Sequence, residues 1–259
     1  MKINIIYNKY ISDYKKTLEA LECSLIDKHI EFKSFELDSM GYFGDFTFVI
    51  GGDGTLLKAA RFYAESKIPV MGVNVGRLGF LSQSGINEFD IILDKVLHND
   101  YQVEERLMLT SGAYIALNDF VIKGCSHSRT SKFYLDINGK SVCDYIADGL
   151  IISTPTGSTA YCLSAGGPIL NPKLDAIIVT PICPHTLNVR PLVIPASDVV
   201  TVKTGDKPLG ISIDGIEQDC ADKITIKATS FKANLAFLKN DGFYSVLRNK
   251  LHWGISPEG

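Results

Sequence analysis

Along the first hundred residues the spacing of apolar positions changes repeatedly, and each change marks an element. Residues 2–7 (KINIIY) form an apolar run of strand length. Leu18, Leu21, Leu25 and Ile26 recur at helical spacing and predict a helix over 13–28. Ile30, Phe32, Phe35 and Leu37 alternate with polar residues and predict a second strand over 30–37. The unbroken run 46–50 predicts a buried strand, followed by a helix to about Ser66 that carries Leu56, Leu57, Ala60 and Tyr63 or Ala64 on one face. Residues 69–73 predict a fourth strand and 86–97 an amphipathic helix. Strands alternating with helices predict a parallel sheet covered on both faces, with ligands at the carboxyl ends of its strands.

After about Asn99 the texture changes. Short segments rich in Val, Ile, Thr and Tyr, broken by Asn, Gly, Asp and Pro, recur at 111–117, 132–138, 149–153, 176–180, 198–203, 209–213 and 223–228. Asn138-Gly139 is a hairpin signal, and many short strands with few helices predict a sandwich. Residues 243–251 return to helical spacing and are expected to pack back on the first domain. The fold class expected is therefore an α/β N-terminal domain with a parallel sheet plus an all-β sandwich C-terminal domain. The boundaries expected are 1–99 with about 240–259 for the first, phosphate-binding domain, and 100–239 for the second. A cleft between two domains is a favoured place for a small ligand.

Composition changes this picture little. Apolar residues make up 46% and charged residues 21%, and the net charge of −3 gives no overall pull toward nucleic acid or an anionic membrane. Positive charge for a phosphorylated ligand must be local, from Lys58, Arg61, Arg77, Arg129, Lys132 or Arg190. Six cysteines are scattered with no C-x-x-C pair, and five histidines do not cluster with them. That argues against zinc and for reduced thiols in a cytoplasmic protein. Met1-Lys2 leads straight into a strand, so no signal peptide is expected, and no apolar stretch approaches membrane-spanning length.

The densest chemistry lies where the third strand ends, at Gly51-Gly52-Asp53-Gly54-Thr55. A strand–glycine turn–helix unit directs backbone N–H groups at a phosphate, and glycine keeps the approach open. Gly51, Gly52 and Thr55 are the phosphate-binding candidates. Asp53 repels phosphate and needs another reason to be there. It can take a proton from a hydroxyl nucleophile or hold a Mg²⁺ that bridges the phosphates, while the plainer reading makes Asp53 or Thr55 a helix cap. A second polar cluster runs from Asp148 to Tyr161, with six hydroxyl residues in nine positions after an apolar strand, then Ser164. Such a run suits a heterocycle and ribose, or a Ser/Thr-rich turn; the number of hydroxyls favours ligand binding.

GGDGTLLKAAR, GVNVGRLGFL, LND, DGLIISTPTGSTAYCLSAGGPI, TPICPHTL and RPLVIP together resemble the bacterial NAD kinase family in order and spacing. GGDGT alone is shared with lipid kinases and 6-phosphofructokinases; the longer serine/threonine motif is the specific one. The resemblance implies phosphorylation of the adenosine ribose 2′-hydroxyl of NAD by ATP or polyphosphate to give NADP, with Mg²⁺ or another divalent metal and no fixed protein-only metal site. It implies NAD bound between the domains of a homodimer or homotetramer, with no nucleic-acid or membrane partner. By the same resemblance Asp53 is the base, with Gly54 beside it, and Lys58 helps neutralise phosphate. Asn118 and Asp119 hold adenine and ribose, and Asp148 meets the nicotinamide side. Thr159, Ala160, Tyr161 and Ser164 line the pocket for a second part of the dinucleotide. Three positions depart from the family pattern: Asp119 where Glu is frequent, Ile146 where a basic residue is common, and Ile216 in place of Gln. The competing readings are a catalytically silent dinucleotide sensor and a lipid kinase sharing GGDGT.

Overall fold

A computed structural model of the chain describes residues 1–75, 79–81, 84–85, 88–124, 130–185, 188–205, 208–238 and 242–252. Arg77 and Arg129, and the centre of the 74–80 motif, lie outside the described residues. The chain divides into two units, Met1–Glu105 with Ala233–Gly259, and Arg106–Lys232.

The first unit begins β1 (Ile3–Tyr7), α1 (Tyr14–Asp27), β2 (Phe32–Glu36), β3 (Phe46–Ile50), α2 (Asp53–Tyr63), β4 (Val70–Asn74), β5 (Ser84–Gly85), α3 (Phe89–Leu97) and β6 (Tyr101–Arg106). β1 pairs in parallel with β2 and β3, and β3 with β4. β3 is central and buried at every residue, which is why it reads as a run rather than an alternation. Phe46, Phe48 and Ile50 face a core with Leu21 and Leu25 of α1 and Phe89, Ile92 and Leu93 of α3. α2 packs on the other face. Helices on both faces put the β3–α2 turn at the carboxyl edge of the sheet.

The second unit contains β7 (Leu109–Ser111), β8 (Tyr114–Ala116), β9 (Asp119–Gly124), β10 (Ser131–Ile137), β11 (Lys140–Ala147), β12 (Gly149–Ser153), α4 (Tyr161–Ser164), β13 (Ala176–Ile182), β14 (Leu192–Pro195), β15 (Val200–Thr204), β16 (Leu209–Ile213), β17 (Ile216–Ala221) and β18 (Lys223–Ala228). Two six-stranded sheets form, β11-β10-β15-β18-β7-β8 and β14-β13-β12-β9-β16-β17. Phe133, Leu135 and Val202 of the first meet Phe120, Ile122, Leu150 and Ile152 of the second in one core, so this is a sandwich. The Asn138-Gly139 turn joins β10 to β11 with φ of 52° and 75°, the left-handed pair of a type I′ hairpin.

β19 (Ala233–Leu238) and α5 (Phe243–Leu251) close the chain within the first unit. β19 pairs in parallel with β4, and β6 lies beside β19 in the same sheet. Both strands fall in the stretch expected to form the sandwich. A short strand pattern shows that a segment is a strand, not which sheet it joins. A second expectation is corrected at Cys220, which is disulfide-bonded, whereas Cys23, Cys143, Cys162 and Cys183 are free as expected. Spacing along the chain does not report which thiols meet in space. Among the described residues no helix is long and apolar enough to cross a membrane.

Candidate active site

The β3–α2 turn has no side-chain cap. Gly52 is the N-cap of α2, and Asp53 is its first helical residue. Asp53 turns its carboxylate away from helix capping to accept the Phe80 N–H at 2.7 Å and the Leu81 N–H at 3.2 Å. These bonds are possible only because residue 79 is glycine, since a Cβ there would clash with the Asp53 carboxylate. The capping alternative for Asp53 is thereby excluded. A carboxylate has about four lone-pair sites, of which these N–H donors occupy two.

The glycines of the turn divide by cause. A Cβ at Gly51 would lie 2.6 Å from the Thr55 Cβ, so the fold itself requires that glycine. At Gly52 and Gly54 an added Cβ meets nothing among the described residues, so packing against them does not demand glycine there. Thr55 is buried, with its hydroxyl accepting from Asn8 at 3.4 Å. Lys58 pairs with Asp38 at 2.6 Å on the surface, an exchangeable contact at that exposure. The Lys58 ammonium also holds the Asp38 carboxyl below its usual range.

The hydroxyl-rich segment of the second unit is mostly scaffold. Ser153, Thr154, Thr156 and Ser158 are buried. Thr154 donates to the Leu117 carbonyl at 2.6 Å and accepts the Gly157 N–H at 3.0 Å. Ser153 donates to the Asn118 carbonyl, and Ser158 to the Pro155 carbonyl while accepting the Leu170 N–H. Four of the six hydroxyls that suggested ligand contact are therefore buried in the scaffold, and two of them, Ser153 and Thr154, stitch the segment to the carbonyls just before β9. Thr159, Ala160, Tyr161 and Ser164 lie beyond the buried part, half-buried or exposed. Asp148 is half-buried between β11 and β12, its N–H bonded to Ile182.

The outer face of the second sheet explains where space is left. Val121, Ile151, Ile178 and Cys162 make an apolar cluster under the 161–170 segment. Past that cover, a cavity of about 650 Å³ opens along β9 and β16, lined by Asn118, Asp119, Lys123, Tyr161, Ser212 and Asp214 among others. Asp119, Val121 and Lys123 alternate along β9 and so share a face, and Ser212 sits opposite Val121 in register. The Lys123 ammonium lies 6.0 Å from the Tyr161 ring centroid, the outer range of a cation–π contact. Asp119 is only 4% exposed; burial above all, then the Asp214 charge, pushes its acid up to about 7. The cavity thus joins four predicted residues, Asn118, Asp119, Ala160 and Tyr161. Lys123 and Ser212 were not singled out from the sequence. Strand alternation from Asp119 onward is the signal that reaches Lys123; Ser212 needs the register of β16.

Elsewhere, Lys132 pairs with Asp144 at 3.0 Å and Arg190 bonds the Val189 carbonyl at 2.8 Å. His185 holds the Ile146 carbonyl through its N–H.

Comparison with known proteins agrees with both halves. Residues 10–101 match the ATP-NAD kinase N-terminal domain and 117–236 the ATP-NAD kinase C-terminal domain. A Geobacter sulfurreducens NAD kinase is 41% identical over 81% of this chain and 79% of its own length. A Pseudomonas fluorescens NAD kinase is 38% identical over 99% of this chain and 97% of its own. The crystal structure of an Archaeoglobus fulgidus NAD kinase in complex with ATP superposes with a TM-score of 0.79 at 28% identity, covering 97% of this chain and 99% of that one. Yeast NADH kinase complexed with NADH has the same fold, with a TM-score of 0.86 at 23% identity over 100% of this chain and 89% of its own. With both domain models matched in order, and relatives of this identity over most of its length, the chain belongs to the ATP-NAD kinase family.

Proposed function

We propose that Asp53 is the general base of this kinase and that Asn118 and Asp119 seat the adenosine of the acceptor. The reaction is that of the family: NAD is phosphorylated to NADP using ATP. The observation that carries the assignment is the grip of Phe80 and Leu81 on Asp53, which aims a carboxylate without using it as a cap. An alcohol is a weak nucleophile, and a fixed carboxylate orients the 2′-hydroxyl and accepts its proton. Phosphoryl transfer passes through a loose transition state, so the remaining work is positioning and charge neutralisation.

In this reading Gly51, Gly52 and Thr55 at the start of α2 hold phosphate, Gly54 lies beside Asp53 at the acceptor, and Lys58 exchanges Asp38 for phosphate. Asp148 serves the nicotinamide carboxamide or its ribose. Thr159, Ala160, Tyr161 and Ser164 serve the second part of the dinucleotide. No group of three metal-ligating side chains occurs among the described residues. A divalent cation would be held by the donor phosphates, with Asp53 the protein carboxylate that would approach it. Bound there, it neutralises phosphate charge. Polyphosphate as a second donor, a cytoplasmic location, and a homodimer or homotetramer complete the proposal.

The test is NADP formation from NAD, ATP and Mg²⁺ by the purified protein and its Asp53→Asn variant. Turnover is expected to fall ~10²-fold or more with NAD affinity nearly intact, the usual scale for a positioned base. Unchanged turnover removes Asp53 from that role.

A further inference from the structure

The Asp214-Gly215 turn between β16 and β17 does more than reverse the chain. Asp214 and Gly215 have φ of 46° and 82°, the left-handed pair that Asp-Gly supplies to a type I′ hairpin. From that turn the Asp214 carboxylate reaches back nearly a hundred residues in sequence. It accepts the N–H of Leu117 at 3.0 Å, of Asn118 at 2.8 Å and of Asp119 at 3.1 Å. Its own N–H returns a bond to the Asp119 carbonyl at 3.0 Å. Four hydrogen bonds therefore tie one turn to the start of β9, where two acceptor-binding candidates leave the backbone.

We propose that Asp214 is a positioning residue for acceptor binding, acting through Asn118 and Asp119: it fixes where both meet the dinucleotide and which hydrogen-bonding role Asp119 offers. The proposal rests on the reading that Asn118 and Asp119 seat adenosine. Asp119 lines the cavity yet is nine-tenths buried, and no hydrogen bond reaches its carboxyl from the described residues. Asp214 is the acceptor already supplied with donors, whereas Asp119 has its capacity spare for a ligand.

Among the described residues the charged and titratable groups around Asp119 are few. Asp214 stands on the adjoining turn, Lys123 lies four residues along β9 on the same face, and Tyr161 and Glu217 line the cavity from α4 and β17. Cys162 comes from α4, its thiol held up chiefly by burial, so it adds no charge near neutrality. Burial first and the Asp214 charge second hold the Asp119 proton up to about 7. Below that pH Asp119 donates an O–H; above it, it only accepts, which suits the O–H groups of a ribose. NAD binding is therefore expected to tighten as pH rises through about 7.

The experiment is NAD titration by calorimetry, without donor, on the full chain between about pH 5.5 and about pH 9, the span that brackets this group. Asp214→Asn tolerates the left-handed turn but removes the charge and one acceptor. Its inflection is expected to move down by about half a pH unit or more, with NAD affinity about tenfold weaker at the alkaline end, where Asp119 is ionised in both proteins. Turnover at saturating NAD is expected to change much less. Asp119→Asn is expected to abolish the inflection. If Asp214→Asn does not fold, Asp214→Gly keeps the turn, removes the carboxylate and carries the same expectation. An Asp214 variant with the wild-type inflection and affinity overturns the proposal, and so does an inflection that survives in Asp119→Asn. Should Asn118→Ala and Asp119→Asn both leave NAD affinity untouched, the fault lies instead in the adenosine assignment beneath it.

Discussion

Asp119 illustrates a conflict between stability and function at a single residue. Its carboxyl is buried beside a second carboxylate, so the folded chain holds its proton to about 7, against 3.8 for the ordinary side chain. A raised acid means that the native state binds the proton more tightly than the unfolded one. Its stabilising contribution is thus complete below about pH 4 and lost as pH climbs to about 7. The loss is on the order of a few kcal/mol, the scale of a shift of this size. Asp119→Asn cannot ionise and escapes the penalty. In urea unfolding, its stability relative to wild type is expected to improve from about pH 5 to about pH 8, while NAD binding worsens. A constant difference across that range would mean that Asp119 carries no such shift.

At the scale of elements, the segment 153–158 shows how the buried hydroxyls of a polar motif can build the scaffold beside a candidate site. Its buried hydroxyls hold the Leu117 and Asn118 carbonyls from one side while Asp214 holds the N–H groups of 117–119 from the other. The short loop at 117–118 is thereby fixed on both flanks. Thr154→Val keeps the shape but strips the Leu117 carbonyl and the Gly157 N–H of their partner in a site closed to water. Leaving buried polar groups unpaired costs about 1–3 kcal/mol, so a lowered thermal midpoint is expected together with weaker NAD binding. A variant as stable as wild type would show that these hydrogen bonds are replaceable. The β3–α2 turn follows similar logic, because Gly79 and the 80–81 amides arrange Asp53 from a different stretch of chain.

For the whole molecule, the second unit is an insertion between two strands of the first unit's sheet. Its two ends are hydrogen-bonded together, the Thr229 N–H to the Met108 carbonyl at 2.9 Å. Residues 106–232 also have their own core between two sheets. Adjacent ends and a private core are what a unit needs to fold alone. The excised 106–232 chain is expected to unfold in one cooperative thermal transition, followed by circular dichroism. A broad, non-cooperative melt would show that the first unit is needed to complete it.

Much of this architecture is local enough to be legible in sequence. Period gave the α/β half, the bounds of α5 and the hairpin at Asn138-Gly139, because side-chain periodicity and turn conformation depend on near neighbours. The glycine turn with Asp53 and the serine/threonine motif were legible as motifs. What the motifs did there was not. That Asp53 is aimed by Phe80 and Leu81, that Thr154 and Ser158 are stitching, and that Asp214 grips 117–119 depend on contacts between residues far apart in sequence. The same limit hid the sheet to which β6 and β19 belong and the pairing of Cys220. Sequence by itself determined the elements and the chemistry present. Tertiary structure alone decided which polar groups are spent on one another and which are left for a ligand, because hydrogen-bond partners and burial are set by the folded path of the chain.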